Sequence, residues 1–276
     1  MNTEAAWSSR GLLWLRALAG SEGLVNGEPA SVRVADAPLG DALACFIAVV
    51  PDAANRFPRA RHGEVGLEEG WALARQVRNT IAADRNDARR PIIALVDVSS
   101  QAYGRSEELL GIHLACAAAA DAYATARLAG HPVIALLVGK AMSGAFLAHG
   151  YQANRLLALD SPEVMVHAMG KQAAARVTRR SVADLEKLGE RIAPMAYDIR
   201  AYAKLGLLHQ LIEGIDADAP GPADVQTVRQ ALQSAIADAR AGSRDLSSRL
   251  ASPEARQTRA ASIEVRRKLA EQWDAA

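Results

Sequence analysis

Aromatic side chains are scarce: Phe, Trp and Tyr supply 4% of the 276 residues, although half the chain is apolar. The interior must therefore be built from Ala, Leu, Val and Ile, the composition of closely packed helices on a sheet. Cysteine is nearly absent. Cys45 and Cys116 lie far apart, each in an apolar stretch, which excludes a zinc ribbon and a disulfide framework and fits a reduced, cytoplasmic setting. Charge of one sign is lacking as well. A formal net charge of +1 excludes a general nucleic-acid or membrane-surface binder. No run reaches the roughly 18 apolar residues of a membrane span; the longest candidate, 109–120, contains His113 and stops at Asp121. The Gly11-Leu-Leu-Trp-Leu15 run has Arg16 on one side and Glu4 on the other, so residues 1–24 read as an N-terminal docking segment rather than a signal. Familiar ligand signatures are missing too. No GxGxxG follows a strand, and neither Gly139-Lys140 nor Gly170-Lys171 has the flanking residues of a phosphate loop. The six histidines stand singly, so no metal is expected.

Short apolar runs alternating with helical patterns are present instead. Strands are expected at 31–35, 45–50, 91–98, 132–138, 155–159 and 163–167, with helices at 66–84 and 106–128. The second helix opens with Ser106-Glu107-Glu108 and stops at Gly130 before Pro132. This alternation predicts an α/β layered domain over residues 25–215. Short helices at 171–178, 182–188 and 195–204 follow, then a brief apolar return at 207–214. Pro220 and Pro222 mark a linker at 216–223, and residues 216–276 read as a C-terminal helical extension in which the charges of 240–268 form a solvated face.

Two strand–turn–helix junctions stand out: Asp97-Val-Ser-Ser-Gln-Ala-Tyr-Gly-Arg-Ser-Glu-Glu108 and Gly139-Lys-Ala-Met-Ser-Gly-Ala-Phe-Leu-Ala-His-Gly150. The first N–H groups of a helix lack intrahelical partners, and Gly or Ala lets a ligand oxygen approach them closely. Gly104 and Gly144 either make tight turns only or open a pair of oxyanion holes. Ser143 is a candidate nucleophile, with His149 or His167 as base, but it lacks the flanking glycines of a nucleophile elbow; capping or positioning substrate is the alternative. Lys140 either meets a carboxylate or phosphate or is simply solvated. Arg105 at a helix start is unfavourable for the helix and so invites an anionic partner. Glu163 and His167 are expected to pair on one strand face, and His113 to sit in the core.

Together with Asp160-Ser-Pro-Glu-Val-Met-Val-His-Ala-Met-Gly-Lys171, these segments resemble the crotonase-like carboxyltransferase superfamily, and most closely the gamma subunits of biotin-independent malonate decarboxylase. The resemblance runs from about residue 10 to about residue 214. It implies a crotonase-like (ClpP/crotonase) α/β spiral of stacked ββα turns with C-terminal helices. It also implies an active site shared with a beta subunit and decarboxylation of malonyl-S-acyl-carrier protein to the acetyl form through an enolate. The thioester would ride on the phosphopantetheine-type, dephospho-CoA-derived arm of an acyl-carrier subunit, loaded by an acyl-transferase (alpha) subunit, with no cofactor bound by this chain itself. On this basis Gly104, Arg105, Gly144 and Ala145 would supply the oxyanion-hole amides, and Lys140 and Ser143 would contact substrate. The alternatives are a biotin-dependent acyl-CoA carboxyltransferase subunit, a non-catalytic scaffold subunit, and a serine hydrolase using Ser143.

Overall fold

Strands buried on both faces must be apolar almost throughout, and the central ones here are. The computed structural model describes residues 9–20, 24–26, 28–86 and 88–274. In chain order the elements are α1 (Arg10–Ala19), β1 (Leu24–Asn26), β2 (Val32–Leu39), β3 (Ala42–Val49), α2 (Leu67–Ala83), β4 (Ile92–Val98), α3 (Arg105–Leu109), α4 (Ile112–Leu128), β5 (Val133–Met142), α5 (Ser143–Ala148), β6 (Arg155–Leu159) and β7 (Met165–His167). Then come α6 (Lys171–Thr178), α7 (Val182–Arg191), α8 (Ile199–Ala203), β8 (Gln210–Ile212), α9 (Pro222–Ala241), α10 (Ser248–Ala251), α11 (Pro253–Thr258) and α12 (Ala260–Asp274).

One sheet runs β1-β2-β3-β4-β5-β6-β8, and β7 pairs with the far end of β5. The β1–β2 and β2–β3 pairs are antiparallel; from β3 onward every pair is parallel. Helices α2 and α4 pack together over one face, and α1 and α9 cover the other. Gly70 makes the first contact possible: a Cβ there would lie 2.7 Å from the backbone of Ala115. Trp14 and Leu15 of α1 are fully buried, each large apolar side chain contributing about 1.5–3 kcal/mol. Among the described residues no helix is long and apolar enough to cross a membrane.

Five expectations need correction. The 106–128 helix is two helices, because Gly111 adopts a left-handed conformation (φ 82°) between α3 and α4. The buried face of α4 is set by Ile112, Ala115, Ala119, Ala122 and Ala126, which turns the neighbouring His113 outward; it is exposed, not a core histidine. Glu163 lies before the three-residue β7 and is exposed, while His167 stacks on Tyr197 instead of pairing with it. Residues 216–221 are no free linker: Trp14 Nε1 donates to Ala217 O at 3.0 Å, and Arg10 forms an ion pair with Asp218 at 2.7 Å. Nor is the charged C-terminal stretch wholly solvated. Val228, Leu232 and Ala235 of α9 belong to the main core, and Arg249 of α10 is buried.

Candidate active site

Because β4 and β5 are parallel neighbours, their carboxyl ends deliver both junctions to the same edge of the sheet. The register shifts between Val96 and Val98, and the intervening Asp97 reaches across to β5. Its Oδ1 accepts the Lys140 N–H at 3.1 Å, and its Oδ2 accepts the Gly11 N–H of α1 at 3.4 Å. A Cβ on residue 139 would lie 2.1 Å from that Oδ1, so only glycine fits there. Asp97 thus ties three elements together beneath the second junction.

Gln101 joins the two junctions. Its backbone is fixed by a bridge to Val65 and by the Ser100 hydroxyl, which donates to its carbonyl at 2.7 Å. Its side-chain Oε1 accepts the Gly144 N–H at 2.7 Å. Gln101 and Gly144 open onto a 530 Å³ cavity walled by Ile112 and Cys116 of α4, Leu147 of α5 and Tyr151. Burial pushes the Cys116 thiol up to about 11, and the Glu108 carboxylate, which lines the same cavity, adds to the shift. The turn that aims the Gly144 amide begins at Ser143, a non-glycine residue held at φ 60°. Such a conformation persists only where its surroundings enforce it.

Of the six residues singled out from sequence, Gly144 alone lines this cavity. Gly104 is the extended N-cap of α3, with the Arg59 side chain and the Glu107 carboxylate each 2.5 Å from where its Cβ would stand. Arg105 is exposed at the start of α3. Lys140 is exposed on β5, Ser143 is half-buried and Ala145 is fully buried. Gln101 and Asp97 were not singled out. For Asp97 the visible signal is a charged residue at the end of an otherwise apolar strand; for Gln101 the signal is only its place in the turn.

Neither proposed base reaches Ser143. His149 is fully buried, its Nε2 2.9 Å from Leu95 O and its Nδ1 3.0 Å from Tyr123 Oη. A carbonyl can only accept, so Nε2 carries the proton and Nδ1 accepts from the tyrosine hydroxyl. Burial lowers the His149 pKa to about 4, and the imidazole is neutral with both nitrogens engaged. His167 lies flat on Tyr197, ring centres 3.9 Å apart, with Nδ1 3.0 Å from Met169 O.

A family model described as the malonate decarboxylase gamma subunit matches residues 60–273. A chain of the crystal structure of a Pseudomonas malonate decarboxylase hetero-tetramer in complex with coenzyme A is 59% identical, with a TM-score of 0.92 over 96% of this chain and 100% of that one. A chain of the Pseudomonas MdcD-MdcE hetero-dimer crystal structure is 58% identical, with a TM-score of 0.89 over the same shares. A curated relative from Malonomonas rubra, the malonyl-S-ACP:biotin-protein carboxyltransferase MADD, is 38% identical over 188 residues, which are 66% of this chain and 64% of that protein. The chain thus spans just under two thirds of the length of that curated relative. Transcarboxylase 12S, 19% identical with a TM-score of 0.62 over 83% of this chain and 41% of that one, shares the crotonase-like carboxyltransferase fold. With the family matched across both junctions and the fold shared along almost the whole chain, this protein belongs to the malonate decarboxylase gamma subunit family.

Proposed function

We propose that the chain acts as the gamma subunit of a cytoplasmic malonate decarboxylase, paired with a homologous beta subunit and served by acyl-carrier and acyl-transferase subunits. The observation that carries this reading is the Gly144 N–H, which sits in a strained turn on the lining of the cavity and already holds a neutral amide oxygen, that of Gln101, at 2.7 Å. A thioester carbonyl oxygen entering the cavity takes the place of Gln101 Oε1. Breaking the bond between the malonyl α-carbon and its carboxylate releases CO2 and sends the electron pair into the thioester carbonyl. The resulting enolate oxygen is where the Gly144 donor acts, and protonation at the α-carbon completes acetyl thioester. A donor aimed at such an oxygen is worth about 2.7–4 kcal/mol, and exclusion of water by the beta subunit closing over the cavity would favour neutral CO2 over the malonyl anion. Ser143 holds the turn, Lys140 at the rim meets the anionic end of the substrate or its carrier arm, and Gly104 with the Arg105 amide forms the second hole with the beta subunit in place. The arm belongs to the carrier subunit; this chain contributes backbone donors and one wall of the cavity.

The test is CO2 release from malonyl-carrier protein by the complex reconstituted from separately purified subunits. Activity is expected only with this chain present, and activity of the beta subunit alone would make the chain a scaffold. The Malonomonas rubra relative supports a second reading, in which the carboxyl group passes to a biotin-carrying partner. Avidin separates the two: decarboxylation here should be indifferent to it.

A further inference from the structure

Beyond Tyr151, which walls the first cavity and carries the Arg249 guanidinium over its ring, lies a second cavity with a different set of side chains. Arg155 opening β6, His209 preceding β8, Asp238 on α9, and Ser248 and Arg249 of α10 line a 260 Å³ cavity. Both arginines are only 7% exposed. Arg155 is balanced: it forms an ion pair with Asp238, and its Nη1 donates to Asn154 O at 2.9 Å and Ser248 Oγ at 3.3 Å.

Arg249 is not balanced. Its Nη2 donates to Tyr151 O at 2.7 Å and Ala153 O at 2.6 Å, and its guanidinium carbon lies 4.8 Å over the Tyr151 ring. Its Nε is buried with no partner among the described residues, and no carboxylate of those residues forms an ion pair with it. Arg127, equally buried, donates to the carbonyls of Gln152 and Arg244, again without a carboxylate ion pair among the described residues. A guanidinium taken from water without a counter-ion costs several kcal/mol, and the acids close by are few. Asp238 is shared between Arg155 and His209, whose Nδ1 lies 3.9 Å from it, and Asp245 acts on Arg127 at longer range. The other titratable neighbours of Arg249 are Tyr151, Tyr202 and Arg127, none of them an acid that balances its charge. Ser248 Oγ accepts from Arg155, which leaves its hydrogen free to point at an incoming oxygen.

We infer that this cavity is a binding site for a phosphate group, held by Arg249 and His209 with the Ser248 hydroxyl and separate from the decarboxylase cavity. A guanidinium fork fits phosphate and carboxylate alike. Burial lowers the His209 pKa, so its imidazole serves as a neutral N–H donor; with the Arg249 Nε–H and the Ser248 hydroxyl it makes three donors, which the four oxygens of a phosphate meet more fully than the two of a carboxylate.

Calorimetric titration of the full chain at constant ionic strength tests this with three probes: inorganic phosphate, glycerol 3-phosphate and acetate. Saturable binding of either phosphate, at least tenfold tighter than acetate, is the expected result; the tighter of the two tells whether the natural ligand is free phosphate or a phosphomonoester. Arg249→Met removes donors from two loop carbonyls and can fail to fold, so the paired variant His209→Gln with Ser248→Ala carries the control, and it should weaken binding at least fivefold. No saturable heat up to about 10 mM, equal binding of acetate, or an unchanged affinity in the double variant would overturn the assignment.

Discussion

His149 shows how far a single residue's chemistry depends on its surroundings. Next to Ser143 in sequence it reads as a possible base; in the fold it is a buried strut joining Leu95 of β4 to Tyr123 of α4. Nothing local reveals this, because the burial comes from a helix that closes over it from earlier in the chain. The consequence is measurable. With the folded pKa at about 4 and the unfolded value near 6.5, the unfolded chain binds a proton that the folded one refuses over that interval. Stability is therefore full above pH 6.5 and is lost as pH falls toward 4, by on the order of 3 kcal/mol from this group. Urea melts across pH 4–8 should show that slope, and His149→Phe should flatten it. The variant should also lose about 2–4 kcal/mol at neutral pH, since the Tyr123 hydroxyl and the Leu95 carbonyl are left unpaired. Equal slopes in the two proteins would contradict the assignment. Asp97 and Gly139 make a second coupled pair. Gly139→Ala should destabilise by more than about 2 kcal/mol by displacing the Asp97 carboxylate, and most of that loss should vanish in an Asp97→Ala background, as a double-mutant cycle would read.

At the scale of elements, the central strands were legible because apolar runs bounded by turns leave few alternatives; β3 to β6 fall where the pattern puts them. Strand β1 and the second half of β2 were not. Asp36 and Pro38 break the apolar pattern of β2 there, and the register of Val32–Leu39 against β3 is set by pairing along the full strand, which no local pattern records. The break at Gly111 was also hidden, since a glycine inside an alanine-rich stretch is compatible with a continuous helix until tertiary packing selects the left-handed turn. The second junction was legible as a strand-to-helix turn but not as a strained one. Ser143 at φ 60° is strain held in place by its neighbours. Ser143→Gly should raise stability by about 1 kcal/mol, seen as a higher Tm. Ser143→Ala should keep decarboxylase activity within about tenfold, because only one neutral hydrogen bond is at stake. A loss beyond a thousandfold would mean that the hydroxyl takes part in the chemistry.

The molecule as a whole leaves apolar surface beside its cavity. Leu109, Leu110 and Leu114 are 79%, 64% and 57% exposed along α3 and α4, and Trp71 of α2 flanks Leu110. A shared active site needs this surface covered, and the paralogous beta subunit is the partner that the proposed function puts there. Leu110→Arg with Leu114→Arg should abolish co-purification with that subunit while the chain alone melts as the wild type does; retained association would move the interface elsewhere. Sequence alone pointed to the family and to both junctions, but not to the contact between them. Gln101 meets Gly144 because side-chain reach across a sheet edge depends on the relative advance of β4 and β5, which no local pattern records. The measurement that bears most directly on the central claim is the turnover of malonyl-carrier protein by the reconstituted complex carrying Gly144→Val. With assembly verified by size-exclusion chromatography, kcat should fall by about a hundredfold or more, because a side chain at 144 crowds the space beside Gln101, 3.0 Å from where its Cβ would stand, and misaligns the amide donor; a kcat within threefold of the wild type would mean that the Gly144 amide does not face the reacting atoms.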